Sequence, residues 1–166
     1  MKYLIFIFSI LLVSCSIGTN NNSNSQEKRI TEEENYHNLL LLEKLLVQTD
    51  LNLNSKVADS LYHESLVFLK LYPESQRKES VLVLAAKCTD GLNLNKENIE
   101  LIDQLLTLFP GSKYAPNYLY NKGKIYEEKL NNIPKAKECY KELILKHPKS
   151  ELGKSMKLYL NFLDKS

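Results

Sequence analysis

The feature that most constrains this chain is a short helix-ending motif that recurs three times at nearly constant spacing. In each copy an apolar run ends at a proline, and a serine follows two residues later. The copies are Tyr-Pro73-Glu-Ser75, Phe-Pro110-Gly-Ser112 and His-Pro148-Lys-Ser150, so the prolines stand 37 and 38 residues apart. Proline disfavours helical geometry in the residue before it, and serine can accept from the free N–H groups of a following first helical turn. A fixed period of this length indicates stacked supersecondary units.

Between the prolines, each period divides into two helices. Apolar residues recur every three or four positions, and no segment sustains the alternation typical of a strand. The one strand-like run, 81–84, leads into Ala85 and Ala86, which favour a helix, and no second strand candidate could pair with it. The predicted fold class is therefore all-α. The predicted helix pairs are 35–50 with 55–72, 77–91 with 96–109, and 114–130 with 134–147, followed by a last helix over 151–163.

The last period resembles the tetratricopeptide repeat. The family's order of apolar, small, aromatic, small, aromatic and proline is matched by Leu119, Gly123, Tyr126, Ala136, Tyr140 and Pro148. One residue is inserted before Ala136, and Lys122 stands where the family usually has leucine. The resemblance implies that these six residues pack the repeat, with Gly123 and Ala136 small where the two helices cross.

The middle period is a weaker copy of this pattern, and the first period matches only in its helix end. The correspondences are Leu82 with Leu119, Ala86 with Gly123 and Ile102 with Tyr140. Asn98, however, stands where Ala136 does. The period exceeds the usual 34 residues, so we expect longer helices or a longer turn within a pair. Over 35–166 the resemblance implies a TPR-like α-solenoid of about three antiparallel helix pairs plus a C-terminal capping helix, stacked to bury their apolar faces.

The resemblance also implies a concave face lined by the first helix of each pair, and this face is the predicted partner-binding surface. Mapped onto the middle and last periods, its residues are Ser80, Val83, Lys87, Asp90, Asn117, Tyr120, Lys124, Glu127 and Glu128. Tyr120 beside Asn117 and Lys124 would offer a peptide an aromatic face, an amide and a cation, and aromatic side chains are favoured interface anchors. The alternative is an unspecialised groove of mixed polarity.

The first fifteen residues carry a targeting signal. Lys2 precedes an apolar run over 3–13, which is shorter than the roughly 18 residues that cross a bilayer and has the length of a secretory signal's apolar core. The run ends Leu-Val-Ser-Cys15, which resembles the bacterial lipoprotein signal. This resemblance implies removal of residues 1–14, a diacylglycerol thioether on Cys15 and fatty acylation of its amine, for example with palmitate. The alternative is an ordinary signal peptide with an incidental cysteine.

Residues 15–34 are predicted to be a flexible linker between the lipid and the folded domain, 35–166. The stretch is rich in Asn and Ser and poor in large apolar side chains, so it cannot bury enough surface to offset its ordering entropy. About 20 such residues reach roughly 25 Å. Ser16, rather than an aspartate, follows Cys15. By analogy with lipoproteins of two-membrane bacteria, we expect an outer-membrane protein that faces the periplasm.

Composition and spacing argue against the commoner chemical sites. With 22 Lys and Arg against 20 Asp and Glu, the chain lacks the basic excess of a nucleic-acid-binding protein. The three histidines are scattered, and the sequence has no HExxH, CxxC, Gly-rich phosphate loop or GxSxG, so we predict no metal, cofactor or catalytic residue. Cys88 and Cys139 are predicted to be buried free thiols. A disulfide between them stays open, since the expected compartment is oxidising.

Together these expectations describe a non-catalytic interaction module that binds an envelope protein or peptide on its concave face. Lipoproteins with such repeats resemble small assembly factors of the bacterial outer membrane. Two alternatives remain open. One is a structural lipoprotein that self-associates through Tyr159, Leu160 and Phe162 of the last helix. The other is a cell-wall enzyme, which would need polar groups converging in one pocket.

Overall fold

The computed structural model describes residues 30–48 and 55–163, and within them every regular element is a helix. The helices are α1 (Glu32–Gln48), α2 (Ser55–Leu71), α3 (Lys78–Gly91), α4 (Asn95–Leu108), α5 (Ala115–Lys124), α6 (Ile133–Lys146) and α7 (Glu151–Leu163), and a π-helical turn, Ile125–Lys129, continues α5. The all-α prediction is confirmed for this part of the chain. The predicted signal peptide 1–14, Cys15 and the linker up to residue 29 lie outside the described residues. No described helix combines the length and apolar character that crossing a membrane requires.

Each helix packs against the next one along the chain, from α1 through to α7. The apolar core consists of three clusters, formed by α1–α2–α3, by α3–α4–α5, and by α6–α7 with side chains from α5 and the π turn. Helix α3 contributes to two of them, because Val81 and Leu84 face the first cluster while Leu82 and Ala85 face the second. This double role of α3 joins the first two helix pairs through a shared core.

Helix α1 begins three residues earlier than predicted, inside the stretch assigned to the linker. Thr31 and Glu34 form a reciprocal cap: the Glu34 N–H donates to the Thr31 hydroxyl at 3.2 Å, and the Thr31 N–H donates to the Glu34 carboxylate at 2.9 Å. This arrangement satisfies backbone donors that a helix start otherwise leaves free. The folded region therefore starts near Thr31, and the predicted boundary at residue 34 is corrected accordingly.

The serines of the recurring motif do not all cap a helix as predicted. The Ser150 hydroxyl does so, accepting the N–H three residues ahead at 3.0 Å, in the first turn of α7. Ser75 and Ser112 accept the N–H only two residues ahead, at 3.0 and 3.1 Å, and α3 and α5 begin after that turn. A hydroxyl bonded at this shorter spacing closes a separate turn before the helix. The prediction is therefore correct for Ser150 and wrong for the other two.

A π turn follows α5 before the chain enters α6. The Leu130 N–H donates to the Ile125 carbonyl, five residues back, at 3.0 Å. A π turn holds one residue more than an α turn, and such turns occur as single interruptions of α-helices. The helix predicted over 114–130 therefore ends in a widened turn.

Helices α5 and α6 approach each other closely at Gly123. A Cβ atom at Gly123 would overlap the Tyr140 ring, so only glycine allows this approach. Leu119, Ala136 and Tyr140 are all buried. Tyr126 is half-buried and packs against the α6–α7 cluster, whereas Pro148 is exposed.

Lys122 is the main departure from the repeat pattern, and its side chain forms a contact between α5 and α4. Its ammonium lies 2.5 Å from the Asp103 carboxylate, and its side chain is only 20% exposed. The Asp103 carboxylate raises the pKa of Lys122, although burial alone would lower it. A long cation here contacts the preceding pair, where the usual leucine would contribute apolar packing.

Candidate functional site

A groove of about 830 Å³ runs across the first helix of each pair. Helices α1, α3 and α5 line its walls, and Ile125, Glu128 and Lys129 of the π turn extend the α5 wall. Its base comes from α4, where Asn98, Ile102 and Leu105 are buried and still border the cavity. Side-chain contacts join the walls: Lys87 on α3 pairs with Glu43 on α1, and Tyr118 on α5 bonds to Glu79 on α3.

Seven of the nine residues predicted for the partner-binding face line this groove. They are Ser80, Val83, Lys87, Asp90, Asn117, Lys124 and Glu128. Tyr120 and Glu127 are absent from the lining. The structure thus brings most of the predicted set together, while their role in binding stays a prediction.

Tyr120 belongs to the core on the other side of α5. Its ring lies 6.2 Å from that of Tyr140 and packs against the α6–α7 cluster. Tyr120 is three residues after Asn117 and four before Lys124, so helical spacing alone places it beside them. Its ring nevertheless turns towards α6, where it meets Tyr140. The predicted grip of Tyr120, Asn117 and Lys124 is therefore corrected: the tyrosine does not take part.

Glu127 is likewise engaged elsewhere. Its carboxylate accepts from the Tyr140 hydroxyl at 2.7 Å and from the Tyr159 hydroxyl. The prediction assumed a regular α-helix, but Glu127 lies in the π turn, which shifts the direction of the side chains that follow its start. The residue therefore ties α6 and α7 together and does not line the groove.

Five of the lining residues that the sequence did not assign to this face are aromatic or amide side chains. They are Tyr36, Asn98, Tyr114, Tyr118 and Asn121. Asn121 follows Asn117 at the i+4 position, so helical spacing alone could have identified it. Tyr36 lies on α1, whose period lacks the repeat pattern, and no sequence signal connected it with α3 or α5.

Three ion pairs join α1 to α3 and to Arg77, the residue just before α3. Arg77 lies 3.3 Å from Glu32 and 2.5 Å from Glu33, and Lys87 lies 3.3 Å from Glu43. All three bridge residues more than 40 positions apart in the sequence, so they fix the spacing of the two walls. They are partly exposed and contribute more to geometry than to stability.

The charges that border the groove nearly cancel. Its lining carries four carboxylates, from Glu43, Glu79, Asp90 and Glu128, and three ammonium groups, from Lys87, Lys124 and Lys129. Besides the Lys87 pair, Lys124 lies 3.4 Å from Glu128 on the same helix. A surface of this balance does not favour a polyanion or a polycation as ligand.

Tyr118 connects α5 with α3 at the groove wall. Its hydroxyl donates to the Glu79 carboxylate at 2.9 Å. Burial, together with this carboxylate, raises the pKa of Tyr118 to about 12. The phenol therefore remains a protonated donor at physiological pH and keeps the wall in place.

The two described cysteines are buried and unpaired. Burial raises the pKa of Cys88 to about 11 and also raises the pKa of Cys139, so neither thiol has the thiolate character of a nucleophile. Among residues 30–48 and 55–163, no three His, Cys, Asp or Glu side chains are grouped closely enough to hold a metal ion.

Comparison with known proteins gives no relative: no protein-family model matches the chain, and no curated protein matches it.

Proposed function

We propose that this chain is a non-catalytic interaction module, built as a tetratricopeptide-like solenoid, whose groove binds a peptide segment of a partner protein. The observation that carries the proposal is the groove shared by α1, α3 and α5, the first helices of three successive pairs. The close Gly123–Tyr140 crossing and the packing of each helix on its sequence neighbours support the solenoid.

The composition of the groove suits a peptide. Its base is apolar apart from Asn98, and its rim carries amides, phenols and compensated charges. Protein interfaces combine an apolar centre with a polar rim in the same way. A volume of about 830 Å³ accepts several residues of a bound chain, since small-ligand pockets of roughly 300–1,000 Å³ hold drug-sized molecules.

The partner is expected at the bacterial envelope. The proposal places a lipid on Cys15 and uses the polar stretch that follows it as a tether. A diacylglycerol plus an amide-linked acyl chain gives stable anchoring, whereas a single chain does not. By this reasoning the folded domain faces the periplasm from the outer membrane.

Metabolic labelling tests the anchor. Cells that express the full chain are fed an alkyne-tagged palmitate, and the protein is probed for the tag. Wild type should carry the label, and Cys15→Ser should lose it entirely while Cys88→Ser retains it. Equal labelling of Cys15→Ser and wild type would refute the lipid anchor.

Site-specific photocrosslinking tests the groove. A benzophenone amino acid replaces Asn117 or Ser80, which are exposed in the groove, and in matched controls it replaces Asn161 or Ser155, which are exposed on α7. Both groove positions should capture one common partner in cells, and the α7 positions should capture none of it. Crosslinking that is equal at all four positions, or absent from both groove positions, would refute a peptide-binding groove.

Self-association is the second candidate function. The predicted patch of Tyr159, Leu160 and Phe162 is reduced, because Leu160 is buried and Tyr159 packs against the α6–α7 cluster. Leu158, at 72% exposed, is the observation that keeps the candidate. Light scattering on wild type and Leu158→Ser decides it: a dimer that the substitution converts to a monomer supports self-association, and a monomeric wild type excludes it.

A further inference from the structure

Asn98 is a polar side chain at a position where the repeat pattern calls for packing. It occupies in the middle period the place that Ala136 holds in the last one. It is only 4% exposed, and it borders the groove at its base. Burial of a carboxamide is unfavourable unless its donors and acceptor find partners.

Within the described residues, Ser65 and Thr89, the other buried polar residues, find such partners in their own helices, and Asn98 does not; the Asn95 side-chain oxygen, also buried, lacks a partner too. The Ser65 hydroxyl donates to the Leu61 carbonyl at 2.7 Å, and the Thr89 hydroxyl donates to the Ala86 carbonyl at 2.9 Å. For Asn98, the described part of the chain contains no hydrogen bond to the side chain, and its neighbours at the base, Ile102 and Leu105, are apolar. Asn98 lines the groove, so its carboxamide meets either water or a molecule bound there, and a bound molecule can take the place of the water.

The hydrogen-bonding groups of a carboxamide limit the kind of ligand that can pair with Asn98. Asparagine offers one carbonyl acceptor and an NH₂ donor side by side in one plane. The matching surface is another amide edge, with a donor and an acceptor next to each other. A residue in an extended peptide exposes its own N–H and C=O on the same side, as between antiparallel strands. A residue inside a helix has already used both groups in the helix.

The residues around Asn98 indicate the charge and the apolar character that a ligand should have. Lys87 and Lys124 are each paired with a glutamate at the rim, so the groove has no excess charge to attract a charged tail. Ile102 and Leu105 offer an apolar surface beside the amide. Since side chains alternate along an extended chain, a residue next to the one bonded to Asn98 can direct an apolar side chain onto that surface.

We infer that Asn98 reads the main chain of the bound segment: its carboxamide pairs with one backbone amide of an extended, uncharged stretch that carries an apolar side chain. This inference rests on the proposed peptide-binding function and assigns it a ligand class and a specificity-determining residue. It also explains why a buried amide occupies a packing position, because the bound ligand supplies the hydrogen bonds that the fold does not.

The test uses the full-length chain in detergent micelles and three defined probes. The first is an end-blocked, uncharged peptide that favours extended structure, Ac-Thr-Val-Thr-Val-Thr-NH₂. The second is the same peptide with N-methylated backbone amides, and the third is an end-blocked, alanine-rich helical peptide. Side-chain amide resonances of Asn98, Asn117 and Asn121 in ¹⁵N spectra report binding in the groove.

The expected result is that only the extended peptide shifts these resonances. Asn98→Ala should weaken that binding at least tenfold, because a site built around a hydrogen-bonded group discriminates strongly when the bond is lost. Its Tm should stay equal or rise, since alanine is the residue that the same position carries in the next pair. Asn161→Ala, a matched change outside the groove, should alter neither binding nor Tm.

Three results would overturn the inference: unchanged binding by Asn98→Ala, a lowered Tm of that variant, or preferential binding of the helical peptide. The photocrosslinker at Asn117 distinguishes this failure from failure of the proposed function. If the crosslinked partner persists undiminished in an Asn98→Ala background, the groove binds a partner and Asn98 does not read it. If wild type gives no groove-specific crosslink, the proposed function fails, and the inference fails with it.

Discussion

The second and third helix pairs use the same arrangement for different purposes at their crossings. In the α5–α6 pair, Tyr140 fills the space beneath Gly123 so closely that no side chain fits there, and Ala136 completes the packing. In the α3–α4 pair, the corresponding positions carry Ala86, Ile102 and Asn98, and all three border the groove. Ile102 is smaller than the tyrosine at the corresponding position of the third pair, and it leaves space that forms part of the groove. The Asn98 carboxamide is the polar group that borders this space.

The comparison teaches that equivalent positions of two helix pairs can have different surroundings: Ala136 is packed in the third pair, whereas Asn98 borders the groove in the second. In the third pair, the Tyr140 hydroxyl donates a partly buried hydrogen bond to the Glu127 carboxylate beside the crossing. In the second pair, apolar residues pack against the neighbouring helices α2 and α5. The remaining side of this pair faces the groove. The four predictions below test this difference, beginning with the largest expected effect.

Adding a side chain at Gly123, where α5 crosses α6, should cause the largest loss of stability. Gly123→Val introduces side-chain atoms where the Tyr140 ring already lies, and we expect a loss of about 3 kcal/mol in the free energy of unfolding, measured by urea denaturation. Gly111→Ala is the matched control, because nothing lies within 4 Å of a Cβ there, and its effect should stay within about 0.5 kcal/mol. A stable Gly123→Val variant would show that the third crossing is not closed.

An asparagine at position 136, in the third helix pair, should cause the next largest loss of stability. Ala136→Asn copies the Asn98 arrangement into the closed crossing, where no groove supplies a ligand or water. We expect a loss of about 2 kcal/mol, since a buried amide without partners costs roughly this much, and thermal unfolding measures it. If Ala136→Asn is as stable as wild type, the two crossings are equivalent and the distinction drawn here is wrong.

The tyrosine–carboxylate bond of the groove wall should appear in the pH dependence of stability. The pKa of Tyr118 is raised from 10.0 to about 12, so the folded state favours the protonated phenol. Its contribution is fully present below pH 10 and is lost as the pH rises towards 12. The unfolding free energy of wild type should therefore fall across this range, and that of Tyr118→Phe should fall less.

The control for this pH effect is Tyr114→Phe, which removes an exposed phenol at the start of the same helix. It should leave the slope between pH 10 and 12 as steep as in wild type. A Tyr118→Phe profile parallel to wild type would mean that the bond to Glu79 does not hold the wall.

The smallest effect is expected at the junction between the two pairs. Lys122→Leu restores the residue usual in the repeat and leaves Asp103, which is half-exposed, in contact with water. Replacing a partly buried ion pair by apolar packing is often close to neutral, so we expect a change within about 1 kcal/mol in urea denaturation. A loss above about 3 kcal/mol would show that the ion pair, and not apolar packing, joins α4 to α5.

The helices could be predicted from the sequence because their signals are local. The recurring prolines, the three-to-four-residue spacing of apolar side chains and Pro134 near the start of α6 each depend on a few neighbouring positions. The bounds agree to within a few residues. The start of α1 could also have been found, because Thr31 and Glu34 form a cap that is visible in the sequence.

The candidate site was less accessible to sequence reasoning. Whether Tyr120 and Glu127 line the groove depends on the direction of each side chain. Tyr120 packs against the α6–α7 cluster and Glu127 lies in the π turn, so helical spacing alone predicted neither direction correctly. Tyr36 could not be connected with the groove because α1 lacks the repeat pattern. Distances between helices depend on the volumes of all the side chains between them, and no short window of sequence contains that information.

By itself, the sequence determined that this chain forms paired helices of regular length, because proline stops and apolar spacing act within one or two turns. It also determined which position would be polar at the second crossing. Only the tertiary structure decided that Asn98 has no hydrogen-bond partner within 30–48 and 55–163, that Tyr120 packs in the core and that α1, α3 and α5 share one groove. These properties depend on which helices become neighbours, and that is settled by packing across the whole domain.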